Sequence, residues 1–86
     1  MAAKAFVLIE TTRGKSREVN TVLGHVPGII SADAVTPPYD IIAVAECASL
    51  NDIGDIVGSK IHSIDGVTRT VVCVTLPTPV GATSYQ

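Results

Sequence analysis

The sequence predicts an α+β fold of one small domain, built as βαβ followed by βαβ, with an antiparallel sheet in the order 4-1-3-2. Three observations carry this. A strand–helix–strand pattern is written twice, with Glu46 following Glu10 by 36 residues and Gly66 following Gly28 by 38. Apolar stripes at helical spacing separate runs rich in Val and Ile. At 86 residues the chain has room for a single core.

The elements follow in order. "AFVLIE" (5–10) reads as a strand, with β-branched and aromatic residues and no breaker. In "RGKSREVNTVLGHVPG", Val19, Val22, Leu23 and Val26 recur at i, i+3, i+4 and i+7, the stripe of a helix that Pro27-Gly28 ends. "IISADAVT" (29–36) is the second strand. "IIAVAE" (41–46) is the third and ends in Glu as the first does. Ser49 is the expected N-cap of the next helix, with Asp52 three residues on. Leu50, Ile53, Ile56, Val57, Ile61 and Ile64 form its stripe, although the frame drifts towards the end. "DGVTRTVVCVTL" then mirrors "PGIISADAVT" as the fourth strand. Two such units match the ferredoxin-like pattern. Right-handed crossovers set strands 1 and 3 at the centre and strands 4 and 2 at the edges. The domain is expected over residues 1–76. The tail "PTPVGATSYQ" (77–86), with two prolines, a glycine and small polar residues, is expected to run off as a poorly ordered end.

Strand parity raises a question about partners. Val7 and Ile9 point one way, Phe6 and Leu8 the other. Ile41, Ala43 and Ala45 oppose Ile42 and Val44, and Val71 and Cys73 oppose Val72 and Val74. Both faces are apolar, whereas a sheet with one solvated face alternates with polar residues. Two helices cover one face. A second subunit's sheet is the expected cover for the other, meeting it through Phe6, Leu8, Ile42 and Val44 as a dimeric α+β barrel. Composition agrees: 47% of residues are hydrophobic and 16% charged, against a usual charged share of about 25%.

Several function classes lose support. Net charge is −2, and the one basic cluster is Arg13-Gly14-Lys15-Ser16-Arg17, read as a solvated loop entering a helix. Phe6, Tyr39 and Tyr85 are too few to stack nucleobases. Neither a signal peptide nor an apolar run of membrane-spanning length is present, so a cytoplasmic setting is expected. No serine sits in a nucleophile elbow. His25 and His62 lack the helical partner of a zinc pair and read as helix-end surface residues. Cys47 and Cys73 lie on strands that strand 1 separates, beyond disulfide reach, and read as small core residues. Glu10 and Glu46 should fall at opposite ends of the sheet because their strands are antiparallel. Gly54 and Gly58, four apart, suggest close packing of their helix. Neither a metal nor a cofactor is expected.

"AFVLIETTRGKSREV", "VPGIISADAVTPPYDIIAVAE" and "SKIHSIDGVTRTVVCVTL" together resemble the ligand-sensing (RAM) domain of the Lrp/AsnC transcription regulators, over about residues 4–76. The resemblance implies a ferredoxin-like fold, dimers joined through their sheets, and assembly into octamers or decamers. It also implies a small effector, commonly an amino acid, held between subunits near the loop joining strands 2 and 3. The family's Gly-x-Tyr-Asp there aligns with Pro37-Pro38-Tyr39-Asp40. Pro37 replaces the glycine, has no N–H to donate, fixes its own φ and pushes Thr36 towards extended backbone. The chain begins at the sensing domain, as the stand-alone RAM proteins do.

The leading expectation is therefore a regulatory module without catalytic activity. It binds an amino acid or similar effector, forms homo-oligomers, partners full-length Lrp/AsnC regulators, and binds no DNA or membrane itself. The expected ligand residues are Thr36, Pro37, Pro38, Tyr39 and Asp40, completed by Ser49 and Asn51 of a neighbouring subunit. Asp40 would meet the ammonium, or, in the plainer alternative, simply cap strand 3. Competing expectations are a small dimeric α+β barrel enzyme of monooxygenase or isomerase type and a ligand-free structural adaptor.

Overall fold

The computed structural model describes residues 2–76. The elements are β1 (Ala3–Thr11), α1 (Ser16–Leu23), β2 (Ile29–Ala34), β3 (Ile41–Cys47), α2 (Leu50–Asp55) and β4 (Val67–Val74). The four strands form one antiparallel sheet in the order β2-β3-β1-β4, the ferredoxin-like arrangement. The expectation for the tail, residues 77–86, falls outside the described residues.

One sheet face carries the core. Ala5, Val7 and Ile9 of β1 and Ile41, Ala43 and Ala45 of β3 are buried there beneath Val19 and Leu23 of α1 and Ile53 of α2. Small alanines on the central strands let the helices sit close to the sheet, and large aliphatic side chains fill the space between. Two expectations about the helices need correction. Val22 is 44% exposed and Leu50 56% exposed, so each stripe is narrower than its spacing suggested. Helix α1 ends at Leu23, before Pro27-Gly28, and a turn carries the chain to β2. The drift in the second helix has a cause: α2 continues as π-helix over Ile56–Ile61, where His62 N–H donates to the Val57 carbonyl at 3.0 Å. Those wider i→i+5 turns do not keep the 3.6 period, and Val57 and Ile61 reach the core from them. The start of α2 behaves as expected, with Ser49 Oγ accepting the Asp52 N–H at 3.2 Å.

Two glycines join the halves. Gly28 and Gly66 have φ of +95° and +104°, a conformation that L side chains rarely adopt. The Gly28 carbonyl accepts from Glu46 N–H at 2.8 Å, and the Gly66 carbonyl accepts from Thr12 N–H at 2.7 Å. Each half thus fastens its helix exit to the other half's central strand. Among the described residues no helix is long and apolar enough to cross a membrane.

Candidate functional site

Residues 35–40 close a short hairpin between β2 and β3. Val35 N–H donates to the Asp40 carbonyl at 2.9 Å, leaving Thr36, Pro37, Pro38 and Tyr39 as the loop. Strand β2 stops at Ala34, two residues short of the expected end, because Pro37 and Pro38 supply no N–H for a ladder. The Pro37–Pro38 peptide is cis. Thr36 and both prolines are exposed, while Tyr39 and Asp40 are half-buried.

Asp40 is tied down by more than its own turn. Its N–H donates to the Ile9 carbonyl at 2.9 Å. Its Oδ2 accepts the Thr11 N–H at 2.8 Å and the Thr11 hydroxyl at 3.2 Å. Strand β3 begins only at Ile41, so the Asp40 carboxylate substitutes for the carbonyl that the next ladder rung would have offered Thr11. The register of β1 against β4 slips between Glu10 and Thr11. Such bulges re-aim the residues at a strand's end. The plainer expectation, a cap for β3, therefore takes a different form: the carboxylate caps the end of β1. Thr11 was not among the candidate residues. It lies 29 residues from Asp40 in sequence, and no local pattern links the two.

These bonds also count the donors left for a ligand. Pro37 and Pro38 have no N–H, and the Asp40 N–H is spent on Ile9. Within residues 37–40 only the Tyr39 N–H remains for an anion. Ser49 and Asn51 are exposed at the start of α2, beyond the far end of β3. Seven strand residues separate them from Asp40, on the order of 20 Å. One chain therefore does not bring the two groups together.

The helix-free face of the sheet presents two cross-strand rows. Val44, Phe6 and Cys73 form one, and Ile42, Leu8 and Val71 the other. Phe6 is 38% exposed, and Lys4 Nζ lies 5.5 Å from its ring centroid. The register sets Lys4 opposite Glu46. Glu10 lies at the other end of β1, opposite Arg69, so the two glutamates are indeed apart. Both cysteines are free, with β1 between their strands. Their reading as core residues needs correction: Cys73 is exposed, since β4 is an edge strand whose partner-free face is this open one, and Cys47 is only half-buried. Burial, with a smaller contribution from Asp52, pushes the Cys47 thiol above its usual range.

Gly54 and Gly58 also differ from expectation. A Cβ at either would meet no atom within 4 Å, so nothing in the described chain packs against them. They floor an apolar groove of about 360 Å³ between the second helix and β4, walled by Leu50, Val57, Val72 and Val74. His62 closes one end, its Nε2 2.9 Å from Thr70 Oγ1. A second concavity of about 400 Å³ adjoins it past Leu50 and Val74, towards Lys4 and Leu76. Neither touches the 36–40 loop, which is an open corner in the single chain. Among the described residues no three His, Cys, Asp or Glu side chains cluster as a metal site.

Comparison with known proteins fits this architecture. The family model of the Lrp/AsnC ligand binding domain matches residues 4–85. The HTH-type transcriptional regulator PF0250 of Pyrococcus furiosus is 30% identical over 81 residues, which are 91% of this chain and 54% of that regulator. The chain thus spans about half of that relative's length. The structure of TTHA0845 from Thermus thermophilus superposes with a TM-score of 0.85 at 26% identity, covering 90% of this chain and 96% of that one. The transcriptional regulator NMB0573 of Neisseria meningitidis, solved as a complex with L-Met, shares the fold with a TM-score of 0.79 at 21% identity, covering 98% of this chain and 56% of that one. Sequence match and sheet topology agree, and the chain belongs to the Lrp/AsnC ligand-binding-domain family.

Proposed function

We propose that the chain is an amino-acid-sensing, oligomer-forming module of a transcriptional regulatory system. It acts by binding and assembly, with residues 1–76 as the sensing unit and a ligand at the loop Thr36–Asp40 that a second subunit closes. The observation that carries this reading is the anchored loop. A free amino acid presents an ammonium and a carboxylate close together. The loop offers the Asp40 carboxylate, the carbonyls of Thr36 and Pro37, and the hydroxyls of Thr36 and Tyr39 to the ammonium. The bonds of Asp40 to β1 hold its carboxylate in place before a ligand arrives, which lowers the ordering cost of binding. The shortage of N–H donors means the carboxylate is met from elsewhere, and Ser49 and Asn51 at a neighbouring subunit's α2 start are our assignment.

Assembly uses the open face. Phe6, Leu8, Ile42 and Val44, with Val71 and Cys73, meet the same surface of a second copy, and the dimers associate further into an octamer or decamer. Its centre, among the described residues, is the apolar set Phe6, Leu8, Ile42, Val44 and Val71 with Cys73, and Lys4 and Glu46 pair at its edge, which favours a packing surface over a barrel enzyme's pocket. The relative solved with L-Met supports an amino acid as the ligand class. Kinship with transcriptional regulators supports a cytoplasmic setting and full-length Lrp/AsnC proteins as partners.

Calorimetry across the twenty common L-amino acids tests the reading, with oligomer mass measured alongside. At least one should bind, and Asp40→Ala should abolish that binding while the protein stays assembled. Failure of every amino acid to bind, or unchanged binding by assembled Asp40→Ala, removes the proposed site.

A further inference from the structure

We propose that Thr11 is a positioning residue of the ligand site: its N–H and hydroxyl hold Asp40 Oδ2, so that Asp40 Oδ1 faces the ligand's ammonium. The proposal rests on the reading of the 36–40 loop as the ligand site and adds a residue from outside that loop.

The geometry supplies three independent supports. First, the two oxygens of Asp40 are not equivalent. Oδ2 takes both bonds from Thr11, at 2.8 and 3.2 Å. Oδ1 takes none among the described residues. The one buried and unpartnered side-chain polar atom there is Asn20 Oδ1, so Asp40 Oδ1 keeps access to solvent. Second, the β1–β4 register slips between Glu10 and Thr11, leaving Thr11 opposite Val67. Bulges of this kind re-aim side chains at strand ends and are common next to active sites. Third, Asp40 is fixed at its backbone as well, through its N–H to Ile9 and its carbonyl to Val35. Backbone and one carboxylate oxygen are thus both immobilised, leaving the second oxygen as the variable contact.

A carboxylate held this way can accept an ammonium without first losing rotamer freedom. An unheld aspartate must be ordered by the ligand itself, and that ordering is subtracted from affinity. Thr11 would therefore act on amine recognition and hardly at all on the ligand's side chain. It also sits on the same strand as Phe6 and Leu8, so the site and the open face share one rigid element.

The test compares Thr11→Val and Thr11→Ser with wild type. Valine keeps the strand's β-branched shape and the backbone N–H but removes the hydroxyl. Serine keeps the hydroxyl. The probes are L-methionine and L-leucine, each paired with its analogue lacking the amine, 4-(methylthio)butanoate and 4-methylpentanoate. Calorimetry is run on the assembled proteins. For whichever amino acid binds wild type, Thr11→Val should raise Kd by about tenfold or more, the effect of one lost bond to a charged acceptor. Thr11→Ser should restore Kd to within about twofold. The amine-free analogue should bind weakly and equally to all three proteins, which a general loosening of the fold would not produce. Wild-type affinity in assembled Thr11→Val, or an equal loss for amine-bearing and amine-free probes, overturns the assignment of Thr11 alone. If neither amino acid binds wild type, the ligand reading fails for these probes and the role of Thr11 in amine recognition falls with it.

Discussion

Replacing Phe6 with alanine is expected to dissociate the dimer proposed for the open sheet face. Phe6 is 38% exposed in the single chain. With roughly 200 Å² for a phenylalanine, that leaves about 75 Å² to be covered by a partner. At about 25 cal/mol per Å², each copy contributes roughly 2 kcal/mol. A two-fold contact uses the residue twice, so the dimer loses about 4 kcal/mol, close to a thousandfold in dissociation constant. Sedimentation velocity over a range of concentrations from nanomolar to tens of micromolar reads this directly. Val22→Ala is the control, because Val22 is comparably exposed at 44% but lies on α1, on the opposite side of the sheet. The control should sediment as wild type. A wild type that stays monomeric at tens of micromolar, or a Phe6→Ala protein that associates as tightly as wild type, would refute the face as the dimer surface.

Three further outcomes follow from other parts of the structure. Gly66→Ala should destabilise by about 2–4 kcal/mol and Gly28→Ala by about 1–3, read by urea unfolding, since both leave a left-handed conformation strained. The order follows from the obstacles: a Cβ at Gly66 meets Lys15 Cβ at 2.9 Å, next to the backbone, whereas at Gly28 it meets the terminal Ile56 Cδ1 at 2.5 Å, which can swing aside. Alkylation followed by mass spectrometry should find two free thiols, with Cys47 the slower at pH 8 because its raised thiol pKa leaves less thiolate; in Phe6→Ala, Cys73 should react faster than in wild type. The 86-residue chain should not retard duplex DNA selectively at physiological salt, given its net charge of −2.

The central strands were legible because their alternation is strict. Val7 and Ile9 against Phe6 and Leu8 fixed which residues meet the helices, and one-residue slippage would have reversed every one of them. The loop was legible from its prolines and its Tyr39-Asp40. Its anchoring was not, because the Thr11 bond depends on where β1 ends relative to β3, a property of register and not of composition. The second helix failed in a different way. Periodicity assumes 3.6 residues per turn, and the π-helical Ile56–Ile61 departs from it. Gly54 and Gly58 were read as contact points because small residues usually mean close approach, yet here they open a groove. Cys73 looked like core because it is small and flanked by valines, but an edge strand has fewer neighbours to bury it.

The crossed bonds of Gly28 and Gly66 bear on how chain order relates to shape. Each βαβ half is fastened to the other by contacts that do not depend on which half comes first. The 35–40 hairpin joins them covalently at one end of the sheet. At the other end Thr75 N–H donates to the Lys4 carbonyl at 2.9 Å, which sets the close of the second half beside the start of the first. A circular permutant that links these ends and opens between Pro37 and Pro38 would spell the halves in reverse order and still close the same sheet. Its hairpin would become two loose ends, with Asp40 still bonded to Thr11 but no loop to enclose the proposed ligand. Architecture and recognition would then come apart in one molecule, the first kept and the second lost.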